Sequence, residues 1–267
     1  MRVVILFILL FVVASIVQTL VSVRRIPRII WTYWQGEDKS GIVKKCMETW
    51  KRTGYEVRLV TRETISQWIP DVNILGLKCI DSPARIADFL RMFLLYRYGG
   101  VWCDASIILT EDFEWLEKKF QNPDIQLFAF YKWNISELHH ENWFLAAPQQ
   151  SPLAKLWLDE ALSMCAFDSV DDYVNDCIQK HNVYLPRSMD IMNYLAVYLS
   201  LKKVLMKHGT KNISREHTNQ FHFDEGYNTL DIYCRRKPKY LIKLTSGDRR
   251  KLKEDKGLEE CLFKWTK

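Results

Sequence analysis

Apolar residues fill Val3 to Val23 without a single charge, interrupted only by Ser15, Gln18, Thr19 and Ser22. At 1.5 Å per residue, about 20 such residues cross a hydrocarbon core of roughly 30 Å. The run is long for a signal-peptide core and lacks a small-x-small cleavage site. It therefore predicts an uncleaved transmembrane anchor over 1–23, followed by one α/β domain over 24–267. Beyond the anchor the pattern becomes short-ranged. Ile26 to Gly36 has a compact apolar core between Pro27 and Gly36, as a buried parallel strand would. Cys46 to Lys51 reads as a helix broken by Gly54, and Tyr55 to Thr61 alternates like a second strand. A short helix over Thr64 to Trp68 ends before Pro70. Strand alternating with helix is the rhythm of an α/β sheet, whose ligands bind beyond the carboxyl ends of its strands.

The most informative stretch is Ser82 to Thr110, SPARIADFLRMFLLYRYGGVWCDASIILT. Ser82 suits an N-cap and Pro83 the first helical position, where a missing N–H costs nothing. Apolar residues dominate from Ala84 to Tyr98, which predicts a helix packed on most of its circumference. Arg85, Asp88 and Arg91 recur every third residue and so share one side of it. Arg85 is expected at the surface or in a salt bridge, whereas Asp88 and Arg91 are charges that so apolar a helix needs a reason to carry. Gly99 ends the helix, Gly100 lets the chain reverse, and Val101 to Leu109 reads as one strand. Its alternation puts Trp102, Asp104 and Ser106 on one face. Asp88, Arg91, Asp104 and Ser106 would then converge at the end of a helix–strand unit.

Further on, helices are predicted over Glu114–Phe120, from Ser151 or Pro152 to about Cys165, over Tyr173–Gln179 and over Asp190–Lys207. Strands are predicted over Ile125–Tyr131, in the run Asn142-Trp-Phe-Leu-Ala-Ala-Pro148, and over Lys239–Leu244. His139 and His140 are adjacent, and neighbours on a strand face opposite ways, so a two-histidine metal site is not expected there.

Composition narrows the classes. The 267 residues are 48% hydrophobic, which is globular, and the net charge is +6, with much of the excess between Arg235 and Lys256. That run suits a solvated basic tail better than a membrane contact, and no nucleic-acid fold motif accompanies it, so no nucleic-acid partner is expected. Seven cysteines lie dispersed with no C-x-x-C pair, which argues against structural zinc and leaves at least one thiol outside any intramolecular disulfide. No cluster of carboxylates or histidines suggests a two-metal phosphodiesterase or nuclease.

The pattern Ala87-Asp88-x-x-Arg91, then Gly99-Gly100-Val101-Trp102-x-Asp104-x-Ser106, resembles the donor-sugar region of glycosyltransferase family 32. It is most similar to the branch called capsular polysaccharide synthesis proteins. That branch often carries Asp-Ala-Thr or Asp-Ala-Ser where most of the family has Asp-x-Asp. The stretch Ile26-Pro-Arg-Ile-Ile-Trp-Thr-Tyr-Trp-Gln-Gly36 resembles the family's opening strand. Trp34 matches the tryptophan that stacks on the nucleotide base, while Trp31 falls where the family commonly has His. The resemblance implies a GT-A-like mixed sheet flanked by helices. It also implies hexose transfer with retention from a UDP- or GDP-linked donor to a glycan or polysaccharide acceptor, with Mn2+ or Mg2+ as cofactor.

Residue by residue, the resemblance gives Asp88 and Arg91 the donor-sugar hydroxyls and Asp104 the metal. Glu141 and Asn142 precede the family strand lining the acceptor side, and Lys243 lies in a late Lys-Leu-Thr near the diphosphate. Ser106 stands where the family's second Asp contacts the metal, and it offers only a neutral hydroxyl. Either a further carboxylate comes from elsewhere, with Asp224 the first choice, or the metal is held mainly by the diphosphate. The same departure keeps open an inactive descendant that binds sugar or nucleotide without turnover. Family members of eukaryotes are often Golgi enzymes, and the sequons Asn134-Ile-Ser and Asn212-Ile-Ser suit a Golgi or ER lumen. Arg24, Arg25 and Arg28 outnumber Arg2 across the anchor and favour the cytoplasmic face. The lumen is preferred.

Overall fold

The apolar run at the start of the domain folds as β1 (Ile29–Tyr33), buried from Ile30 onward, and it pairs in parallel on both sides. The computed structural model describes residues 25–131, 139–185, 188–218 and 230–266. The anchor expected over 1–23 lies outside them, as do Asn134 and Asp224; among the described residues no helix is long and apolar enough to cross a membrane. After α1 (Ile42–Thr49) comes β2 (Glu56–Val60), then the short α2 (Ile65–Trp68) and the long α3 (Pro83–Tyr98), which returns the chain to β3 (Gly100–Cys103). β2 and β3 flank β1 with parallel register, for instance Trp31 against both Arg58 and Trp102.

The connection from α3 to β3 is tightly determined. Ser82 caps the helix by accepting from the Arg85 amide at 3.2 Å. Gly99 and Gly100 both have positive φ, 68° and 98°. A β-carbon on Gly100 would stand 2.6 Å from the Ile29 carbonyl oxygen, and one on Gly99 2.5 Å from the Gln149 amide nitrogen. Trp31, fully buried between Trp68 and Tyr98, donates its indole N–H to the Gly99 carbonyl at 3.0 Å. This tryptophan is a brace for the turn. Gly100→Ala is expected to cost about 2 kcal/mol or more, from φ strain alone, and to lower the melting temperature by about 4–8 °C. Differential scanning fluorimetry measures it, and an unchanged transition would remove the close approach from the account.

The strand expected over Val101–Leu109 is two strands. The chain turns at Asp104, where the Ile107 amide donates to the Asp104 carbonyl at 3.1 Å, and β4 (Ile107–Leu109) leaves for a second sheet. A helix α4 (Glu114–Lys119) leads to β5 (Leu127–Tyr131), and β6 (His140–Ala147) runs back antiparallel between β5 and β3. Helices α5 (Pro152–Ser163), α6 (Val170–His181), α7 (Met189–Tyr194) and α8 (Ala196–His208) follow, then β7 (Ile213–His217). The stretch expected as one helix over Asp190–Lys207 breaks at Leu195, between α7 and α8. The main sheet has the order β2-β1-β3-β6-β5-β7 and is mixed, because β3–β6 and β5–β6 are antiparallel while β5–β7 is parallel.

The basic C-terminal region is packed structure. It forms α9 (Asp231–Arg235), β8 (Leu241–Lys243), α10 (Ser246–Glu254) and α11 (Lys256–Phe263). Thr245 and Asp248 make a capping box at the start of α10. β8 pairs antiparallel with β4, and this two-stranded sheet lies between two apolar layers. Ile107, Leu109 and Leu241 face the core beneath the main sheet, with Phe113, Phe128 and Phe144. Ile108, Ile242 and Leu244 face a third core with Leu252, Leu262 and Tyr233. On the other side of the main sheet, α3, α5 and α8 bury Phe89, Trp157 and Leu199 against Trp102 and Leu145. Cysteines pair as Cys79–Cys165 and Cys234–Cys261, while Cys46, Cys103 and Cys177 are buried free thiols.

Candidate active site

The break between β3 and β4 puts Asp104 just beyond the carboxyl end of β3. Its amide is fixed by donation to the Trp143 carbonyl on β6 at 2.9 Å. Both carboxylate oxygens are engaged. Oδ1 accepts from the Trp102 indole at 2.9 Å and from Arg91 Nη2 at 3.4 Å, and Oδ2 accepts from Lys243 Nζ at 2.6 Å. Burial pushes the Asp104 carboxyl up, but Lys243 and Arg91 together outweigh it and hold the group below the usual carboxylate range. About a quarter of the side chain remains exposed, and a fifth of Lys243, so the pair opens to solvent.

Behind it lies a buried network built on the charged side of α3. Arg91 donates Nε to its own helix at the Ala87 carbonyl (3.2 Å) and Nη1 to the Asn142 carbonyl (2.9 Å), and it lies 3.2 Å from Asp88 Oδ1. Its guanidinium also stacks 5.1 Å from the centre of the Trp102 ring. Asn142 in turn donates its side-chain amide to Asp88 Oδ1 at 2.9 Å. Burial raises the Asp88 carboxyl above its ordinary value despite Arg91 and Arg85 beside it. Arg85 is buried rather than superficial, donating Nη2 to the Asn193 carbonyl at 2.8 Å, with Asp81 and Asp88 each 3.9 Å away. The three-residue spacing of Arg85, Asp88 and Arg91 therefore becomes one contiguous line of charge under β6.

Lys243 reaches Asp104 because β4 and β8 pair with Ile107 opposite Lys243. Ser106 secures that register: its hydroxyl donates to the Leu244 carbonyl at 3.0 Å while the Leu244 amide donates to the Ser106 carbonyl at 3.0 Å. Ser106 is buried and turned into this strand clasp. Glu141 is buried as well, accepting from the Trp143 indole at 2.8 Å and from Tyr198 at 3.4 Å. Trp34 follows β1 at its carboxyl end, next to β3 in the sheet, with Arg249 at 5.5 Å over its ring. The structure thus brings Asp88, Arg91, Asn142, Asp104 and Lys243 into one bonded network. Trp34 stands on the neighbouring strand end, and Asp224 lies outside the described residues.

Sequence reasoning assigned no role to four members of this neighbourhood. Trp102 and Trp143 orient Asp104 and Glu141 through their indole N–H groups, and Tyr198 stacks on His139 at 5.2 Å. Tyr194, at the end of α7, is two-thirds exposed, and its hydroxyl is raised by burial and by Asp88 and Asp104 nearby. The even spacing of Trp102 and Asp104 on a strand was the only available signal among these.

Among the described residues the donor set does not fit a divalent cation. Mg2+ and Mn2+ take oxygen ligands, commonly a carboxylate or two plus substrate phosphates. Of the described carboxylates only Asp104 stands at the open end of the network, both its oxygens accept from cationic or N–H donors, and Ser106 faces away into the strand clasp. Among the described residues no three His, Cys, Asp or Glu side chains group as metal ligands.

A mixed α/β sheet with charged groups beyond adjacent parallel strand ends is the frame of a ligand-binding α/β protein. The sequence matches the family described as capsular polysaccharide synthesis protein over residues 18–248, most of its length, and the chain belongs to that family. Among solved structures it is similar to a chain named PaToxG Glycosyltransferase, at 13% identity and a TM-score of 0.42, covering 90% of this chain and 87% of that one. No curated protein matches it.

Proposed function

We propose that the protein is a glycosyltransferase that moves a hexose, with retention, from a UDP- or GDP-linked donor to a glycan or polysaccharide acceptor. One observation carries this reading: Asp88, Arg91, Asn142, Asp104 and Lys243 form a single bonded network beyond β3, within a chain of a polysaccharide synthesis family. Asp88 and Arg91 orient the donor sugar, and Asp104 lies at the reacting end. Trp34 stacks on the base, its face already attracting the Arg249 cation. Glu141, with Tyr198 and the exposed Tyr194, borders the acceptor. Among the described residues no paired carboxylates stand out as nucleophile and general acid, which favours a front-face displacement assisted by the departing phosphate. Val3–Val23 anchors the domain, and the two disulfide pairs favour an oxidising lumen over the cytosol.

The test is a thermal-shift screen of UDP, GDP and their hexoses, followed by nucleotide release from whichever donor binds. Trp34→Ala is expected to weaken donor binding about tenfold, as loss of one base–aromatic stack does. Nucleotide binding without turnover of any donor would make the protein a sugar-nucleotide binder. Binding of no nucleotide would overturn the assignment.

A further inference from the structure

We propose that Lys243 does the work of the divalent cation, so that this site binds a nucleoside diphosphate and releases it as leaving group without metal. The inference rests on the glycosyltransferase reading above and specifies how its site meets the diphosphate.

Three observations converge on it. Lys243 Nζ sits 2.6 Å from Asp104 Oδ2, the less engaged of the two oxygens of the carboxylate that would hold a metal. Asp104 Oδ1 is held by Trp102 and Arg91 and Oδ2 by Lys243, so a second cation would have to share Oδ2 with the ammonium already bound there. The position that a second aspartate would fill is Ser106, and its hydroxyl is committed to the Leu244 carbonyl. That same bond fixes the strand end from which Lys243 projects. The Ser106 clasp and the placement of the lysine are therefore one structural arrangement, which sets an ammonium against the Asp104 carboxylate.

The chemistry is sufficient for the step. A lysine ammonium has three N–H donors, and Asp104 takes one. The others lie on a side chain that is one-fifth exposed, beside the face of Trp143 at 5.9 Å. In transfer, the bond between the anomeric carbon and the β-phosphate oxygen breaks with its electron pair left on that oxygen. The acceptor oxygen bonds to the same carbon, and its proton passes to the departing diphosphate. Lys243 keeps its proton throughout and neutralises the growing phosphate charge through hydrogen bonds, the role otherwise given to a metal. Asp104 holds the ammonium in place, and Arg91 behind it keeps the carboxylate ionised.

The experiment measures UDP and GDP binding to the full chain by calorimetry, after exhaustive chelation with EDTA and again in MnCl2, with uridine as a probe lacking phosphates. Wild-type protein is expected to bind its nucleotide in EDTA with a dissociation constant within about twofold of that in Mn2+. Lys243→Ala is expected to weaken diphosphate binding about tenfold or more in EDTA, the loss of one charge-assisted hydrogen bond, and to leave uridine binding unchanged. Lys243→Arg, which keeps the charge, retains most of the affinity and guards against a folding defect. A merely structural lysine would weaken both ligands alike, and that result overturns the proposal. Nucleotide binding that appears only with Mn2+ also overturns it, while leaving the glycosyltransferase reading in place. Binding of neither nucleotide under either condition overturns both.

Discussion

Asp104→Asn is expected to lower sugar transfer by at least about a hundredfold while the fold survives. The amide cannot satisfy the groups that now converge on the carboxylate. Trp102, Arg91 and Lys243 are all donors, and an Asn side chain must turn one NH2 toward at least one of them. The Lys243 ammonium then loses its counter-charge and swings toward solvent. Loss of a partner from a fully buried pair costs about 3–5 kcal/mol, and the partial exposure here reduces that through solvent screening. Stability therefore changes less than activity. The sign with pH follows from the lowered carboxyl. The pair's stabilisation is fully present above about pH 4, near the unfolded value, and disappears only as pH falls through the lower folded value. Nucleotide release near neutral pH and thermal melts extended from pH 7 down to about pH 2 check both statements. Unchanged turnover in the variant would remove Asp104 from the site.

Arg91→Met is expected to have the largest effect on stability, about 3 kcal/mol or more, with transfer lost altogether. Arg91 is buried, and its planar fork joins the Ala87 and Asn142 carbonyls to Asp88 and Asp104 at once. Removing it leaves Asp88, whose carboxyl burial already lifts, with Asn142 and the longer 3.9 Å pair to Arg85. For a domain of this size, the melting temperature should fall by about 6–12 °C. Arg91→Lys is not a conservative exchange here, since a point charge cannot span four acceptors, and it should fall between Met and wild type. A calorimetric scan decides the matter; a transition within a degree of wild type in the Met variant would contradict the bridging role.

Local signals carried most of what was legible in the sequence. Ser82, Pro83 and the glycine pair marked both ends of α3 because capping and positive φ are decided by a few neighbouring residues. The three-residue spacing of Arg85, Asp88 and Arg91 gave their common side for the same reason. What the sequence hid was set by distant partners. Val101–Leu109 reads as one strand because Ala105 and Ser106 do not look like a break. The turn at Asp104 exists because β8, far along the chain, claims Ile107–Leu109 as its partner. For Arg85 the expectation of a surface or salt-bridge residue held in its second half, through Asp81 and Asp88; its burial was hidden because the carbonyl that accepts its guanidinium, from Asn193, is 108 residues away. The C-terminal charges looked like a tail, although Leu252 lies among them and Leu258 and Leu262, four apart just beyond, pack with it into the third core. There the composition masked a pattern that was present.

The clasp of Ser106 on Leu244 has a consequence for how tightly a ligand can be held. A free lysine surrenders about 1.5–2 kcal/mol of rotamer freedom when it is pinned against a partner. Lys243 is already pinned, by Asp104 at its tip and by β4 at its base, before any ligand arrives. Folding bears that ordering cost, so a diphosphate entering the site meets an ammonium whose motion it need not quench. The part of the affinity that flexible basic residues forfeit to entropy is thereby kept.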